Sequence, residues 1–99
     1  MSIDWRTLPS LTALRAFAAT ADTRSFSQAA RALNVTHAAV SQQVRALEDD
    51  LGRSLVQRDG RGVSLTTDGE QLHDALGEGF AAIQRGVEAL RAGEVDRPV

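Results

Sequence analysis

The sequence predicts a mainly α fold: three short helices, a two-stranded hairpin and one long helix at the end. Three observations predict it. Apolar residues recur at helical spacing along four segments, 8–21, 26–33, 36–51 and 67–92. Two short alternating segments, Leu55 to Arg58 and Val63 to Thr66, flank Asp59-Gly60-Arg61-Gly62, and Asp-Gly between such runs is a hairpin signal. Ser or Thr ahead of the periodic segments, and Asn or Gly behind them, punctuate the chain where helices start and stop.

The first segment, Leu8 to Ala21, carries Pro9 in its first turn and turns Leu11, Leu14, Phe17, Ala18 and Ala21 to one side. Asp22 to Ser25 is a polar break. Ser25 stands three residues ahead of Gln28, the spacing of a capping box, although Ser27 could serve as the cap instead. The short second helix then faces Phe26, Ala29, Ala30 and Leu33 inward. Asn34 tolerates the left-handed conformation of a tight turn, Val35 can fill the core beneath it, and Thr36 caps the third helix.

That third helix, closed by Gly52, is the most informative stretch. At 100° per residue Val40, Val44, Leu47 and Leu51 fall on one stripe, while Ala38, Ser41, Gln42 and Arg45 fall roughly opposite. The second face is short, neutral or cationic, and rich in hydrogen-bonding groups. Such a face can enter a DNA major groove, where long or acidic side chains would clash with or repel the duplex. Two short helices joined by a tight turn, the second with a sparse polar face, make a helix-turn-helix. The hairpin behind it reads as a wing, with Arg58 and Arg61 near its tip placed for phosphate or minor groove; the alternative is a pair of arginines solvated on a loop. The fold class is therefore a winged helix-turn-helix followed by a long linker helix.

The long helix opens on a second capping signature, Thr67-Asp68-Gly69-Glu70, and is expected to run to Ala92, where Gly93 ends it. Leu76, Phe80, Ile83, Val87 and Leu90 alternate in steps of four and three, a coiled-coil rhythm. Gly79 and Gly86 would let another helix approach closely. So narrow a seam has no room to be buried inside so small a domain, and a partner helix covers it in a homodimer; the alternative is a stripe packed back on its own domain.

Composition bounds the rest. Ninety-nine residues at 42% hydrophobic make one small domain with a modest core. Cysteine is absent, so neither a disulfide framework nor a thiolate site is available, and His37 and His73 have no metal-ligand spacing. No cofactor or metal is expected. No apolar run approaches a membrane span, and no signal-peptide pattern opens the chain, so a soluble cytoplasmic protein is expected. The net charge of −2 is unevenly spread: residues 1–66 hold eight Arg and six acids (+2), residues 67–99 three Arg and seven acids (−4). A positive head on a negative extension suits a DNA reader, which needs a local basic face and not a basic total. An enzyme is not expected, for there is no phosphate-binding glycine loop and no nucleophile with a supporting base.

With that order of elements in place, the sequence closely resembles the N-terminal domain of LysR-type transcriptional regulators over about Leu8 to Leu90. The resemblance is carried by Leu14 and Phe17, Ser25-Phe26, Ala29-Ala30 and Leu33, and Thr36, Ala39 and Ser41. It continues through Leu47-Glu48, Leu51-Gly52, Leu55, Arg58 and Leu65-Thr66 to Gly69. The opening Leu8-Pro9-Ser10-Leu11 with Leu14-Arg15-Ala16-Phe17, and the run from Val35 to Ser41, look most like the glycine-cleavage and β-lactamase activator branch. The resemblance implies double-stranded DNA carrying an interrupted inverted repeat as the partner, a dimer formed by antiparallel long helices, and tetramers through an effector-binding domain that this chain lacks. It implies DNA contacts at Thr36, His37, Ala38, Ser41, Gln42 and Arg45, with Arg58 and Arg61 from the wing. The expected division is 1–66 winged head, 67–92 dimerisation helix and 93–99 flexible tail.

Several roles stay open at this point. Position 42 is often Arg in that family, and Gln42 would favour adenine or phosphate over guanine. Arg45 could pair with Glu48 or Asp49 instead of DNA. His37 lies near the core stripe by angle, so packing or capping competes with DNA contact. The acids Glu48, Asp49 and Asp50 are expected to mark the helix end turned away from DNA. The rival reading of the whole chain is a winged-helix interaction module that dimerises and binds protein without binding DNA.

Overall fold

A hydroxyl starts each of the four α-helices. In a computed structural model, which describes residues 2–60 and 62–96, the order is a 3-10 turn Trp5–Thr7, α1 Leu11–Thr23, α2 Phe26–Leu33, α3 His37–Leu51, β1 Val56–Asp59, β2 Gly62–Leu65 and α4 Thr67–Asp96. The Ser10, Ser25, Thr36 and Thr66 side chains accept from the backbone N–H three residues on, at Ala13, Gln28, Ala39 and Gly69. Each satisfies one donor that the first helical turn leaves without a partner, about 1 kcal/mol per cap.

The three helices of the head also stop alike. Arg24, Asn34 and Gly52 all sit in the left-handed region, with φ of 56°, 58° and 67°. At Asn34 the stop is a Schellman motif: Asn34 N–H donates to Arg31 O and Val35 N–H to Ala30 O. Arg24 occupies this region with a side chain that gives it no advantage there, at a cost of about 1 kcal/mol. Its carbonyl has a use: it accepts the Val63 N–H at 3.0 Å and ties β2 to the end of α1.

Phe17, Thr20, Val40, Val44, Leu47 and Leu55 are the largest fully buried side chains, and they mark the centre of the head. Burying a Phe or Leu side chain this completely contributes about 1.5–3 kcal/mol apiece. Thr20 is polar, yet its hydroxyl donates to Ala16 O at 2.8 Å, and among the described residues no buried side-chain polar atom is left unpaired. β1 and β2 pair antiparallel with Val56 opposite Leu65 and Asp59 opposite Gly62; Val63 points into the core.

Several sequence expectations need correcting. α1 starts at Leu11 and not at Leu8, because Ser10 can cap and Pro9 cannot. Its buried face is Ala13, Ala16, Phe17, Thr20 and Ala21; Leu11 lies 60% exposed, on the wall of an open groove between α1 and α4 and not in the core. Val35 stands 48% exposed and Leu51 41%, both beyond the rim of the core. α4 is capped by Thr66 and not Thr67, because the Thr66 hydroxyl also donates to Ser54 O at 2.7 Å and so belongs to the base of the wing. Gly93 does not end α4, which continues through Asp96 and so runs past the end expected at Ala92; residues 97–99 lie outside the described residues.

α4 is fastened to the head at its root. Leu72 and Leu76 pack against the core, and the His73 ring donates to the Asp22 carboxylate at 2.7 Å. Gly69 rests so closely on the backbone of Leu55 that a Cβ there would collide with the carbonyl oxygen.

Candidate nucleic-acid interface

The capped start of α3 and the base of the wing frame one face of the head. Thr36 spends its hydroxyl on the cap. His37, the first helical residue, is exposed and sets its ring edge against Phe26, 5.7 Å between centroids at 66°. Ala38, Gln42 and Arg45 are exposed and Ser41 is half-buried, so the slim polar ridge read from the sequence faces outward. His37 is thus on the accessible side, with one edge held by packing.

Beside that ridge runs a cleft of about 150 Å³ between α3 and the wing, with Ser41 and Arg45 on one wall and Val56 and Arg58 on the other. The Arg58 guanidinium lies 5.2 Å from the Phe26 ring centroid, a cation–π geometry that holds the group in place without neutralising it. Arg45 makes no ion pair among the described residues, so the competitor at Asp49 is not engaged. Arg61 lies outside the described residues.

Two residues of this face had no functional reading in the sequence. Glu48 does not simply turn away from the interface: its carboxylate accepts from Leu55 N–H at 2.7 Å and Val56 N–H at 3.2 Å, clamping the first strand of the wing to α3. Phe26, read only as core, joins α3 to the wing through His37 and Arg58. Periodicity carries no trace of either contact, because both partners come from another element.

The seam of α4 divides in two. Leu76 and Phe80 are half-buried, and of the two only Leu76 packs against the core cluster; Ile83, Val87 and Leu90 are 59%, 39% and 59% exposed. Packing back onto the chain's own domain therefore accounts for the root of the seam and not for its outer half. Gly79 and Gly86 have open space where a side chain would be.

Residues 11–70 match the family of bacterial regulatory helix-turn-helix proteins of the lysR type. The chain belongs to the LysR family. Among LysR relatives, it is 61% identical over 90 residues to the AhcY transcriptional activator HvrB of Rhodobacter capsulatus, covering 91% of this chain and 31% of that protein. It is 53% identical over 93 residues to the regulator TrpI of Pseudomonas aeruginosa, covering 94% and 32%. The chain thus spans about a third of the length of these curated relatives. Its fold superposes on the CbnR DBD in a crystal structure with DNA, with TM-score 0.72, 29% identity and coverage of 87% and 99%. It superposes likewise on the BenM DBD bound to catB site 1 DNA, with TM-score 0.76, 27% identity and coverage of 85% and 94%. The LysR relatives matched are named as regulators and not as enzymes. No helix of the described residues is long and apolar enough to cross a membrane.

Proposed function

We propose that this chain is the DNA-reading head and dimerisation helix of a cytoplasmic transcription regulator, with residues 1–66 as the head and the helix from Thr67 as the coupler. α3 enters the major groove through Thr36, His37, Ala38, Ser41, Gln42 and Arg45, while Arg58 and Arg61 meet phosphate or the minor groove. Phe80, Ile83, Val87 and Leu90 pair two chains, with Leu76 held at the root by its own core, so that two heads address an interrupted inverted repeat of double-stranded DNA. An effector-binding domain elsewhere in the intact regulator would support tetramers. The observation that carries this reading is the exposed, acid-free ridge Ala38–Ser41–Gln42–Arg45 beside a wing clamped in place by Glu48. Solved DNA complexes of two relatives with the same fold support it.

The test is fluorescence anisotropy against duplexes selected from a random library, over a range of salt. Gln42→Ala is expected to relax preference at one position of each half-site by about 1–3 kcal/mol and to leave the others alone; uniform weakening would remove Gln42 from base reading. Arg61→Ala is expected to weaken all sequences alike and to lower the slope of log K against log salt by about one. No selected duplex and no salt dependence would favour the rival reading, a winged-helix module that dimerises and binds protein.

A further inference from the structure

The segment ahead of α1 carries some of the least protected apolar side chains of the chain. Ile3, Trp5 and Leu8 are 54%, 75% and 46% exposed, and Leu11 follows at the first position of α1. The segment is shaped and not ragged: Trp5–Thr7 form a 3-10 turn, and the Asp4 carboxylate accepts from the Arg6 N–H at 3.1 Å. Arg6 and Asp4 also pair with each other at 3.3 Å, which leaves the arm without net charge. What it presents is an apolar surface led by a tryptophan.

Its position says what that surface meets. α1 and α4 run antiparallel: Asp22 bonds His73 at one end, and Leu11 and Ile83 share the walls of an open groove at the other. The arm therefore leaves α1 at the end of the molecule where α4 is uncovered. It does not lie on its own helix, since Trp5 stays exposed while Val87 and Leu90 are uncovered too. Areas point the same way. A homodimer interface of standard size takes about 800 Å² per partner, some two-thirds of it apolar, hence roughly 500 Å². The exposed parts of Ile83, Val87 and Leu90 supply on the order of 300 Å², and those of Ile3, Trp5, Leu8 and Leu11 on the order of 450 Å² more. Those three seam side chains fall short of that area by themselves; with the arm they reach it.

We propose that the arm of one chain closes over α4 of a second copy, with Trp5 as the anchor of that contact. The proposal rests on the reading that chains dimerise through α4. Trp5 is the only tryptophan of the 99 residues, so its emission reports on the arm directly.

The test follows Trp5 emission and acrylamide quenching of the full chain across a dilution series, beside sedimentation velocity. The expected result is a shift to shorter wavelength and a several-fold loss of quenching as concentration rises, with the same midpoint as dimer formation. Both are expected to vanish in Ile83→Asp. Trp5→Ala is expected to raise the dimer Kd about thirtyfold, as loss of a buried aromatic anchor does, with an unchanged circular dichroism spectrum. A dimer in which Trp5 stays fully quenchable overturns the arm contact and leaves helix pairing standing. A Trp5 protected at all dilutions and in Ile83→Asp places the arm on its own chain and overturns it as well. Absence of any dimer at millimolar concentration overturns both this contact and the reading on which it rests.

Discussion

The head and the outer half of α4 use the same residue types to opposite ends. In the head, large apolar side chains at the centre are sealed, buried polar atoms are paired, and each helix has a hydroxyl at one end and a left-handed stop at the other. Past Phe80, α4 holds Ile83, Val87 and Leu90 in water. Glycine shows the contrast most clearly: Gly69 is pressed against the Leu55 backbone, whereas Gly79 and Gly86 face empty space. One region is closed by its own chain, and the other leaves its apolar side chains uncovered.

Three substitutions sharpen that contrast, taken from the largest effect to the smallest. Gly69→Ala forces the start of α4 off Leu55, where the obstacle is backbone and cannot rotate aside. A loss of about 3 kcal/mol is expected by urea denaturation, the upper range for overpacking; an unchanged midpoint would show that the junction is slack. Glu48→Ala leaves the Leu55 and Val56 N–H groups without their charged acceptor, and a loss of about 1–2 kcal/mol is expected. Hydrogen exchange should localise it to β1, and even loss across the head would remove Glu48 from its role as a clamp. Gly86→Ala should do the reverse. In an Ile83→Asp background that keeps chains apart, it is expected to raise the stability of the outer helix by about 1 kcal/mol, read as helicity by circular dichroism. In the parent chain it would weaken dimers if a partner helix approaches closely there.

The sequence made legible whatever is decided within a few residues. Ser25, Thr36, Asn34 and Gly52 act as their positions suggest, because caps and left-handed stops are local devices. The winged head and its polar ridge were legible for the same reason: period and punctuation agree along α3. What failed was the edge of the core. Leu11 and Leu51 lie at the correct angle on their helices, and Val35 in the turn between α2 and α3, yet all three fall outside the packed centre, because angle and position say which side is apolar and not how far the neighbouring elements extend. The shift from Thr67 to Thr66 has a similar cause, since both threonines fit the capping pattern and only the bond to Ser54 tells them apart. Glu48 and the Arg58–Phe26 contact were invisible because each joins residues that come together only once the wing has docked.

The fastening of α4 at its root bears on how angle becomes distance. Thr66, Gly69 and His73 pin three successive points of the helix to the head, so head and helix turn as one body. Thirty residues of α-helix reach about 45 Å. With the far end held, a swing of about 10° carries the head through roughly 8 Å, most of the width of a major groove. On the proposed pairing through α4, small changes in how two such levers cross would reset the spacing of their tips, as in the legs of a caliper.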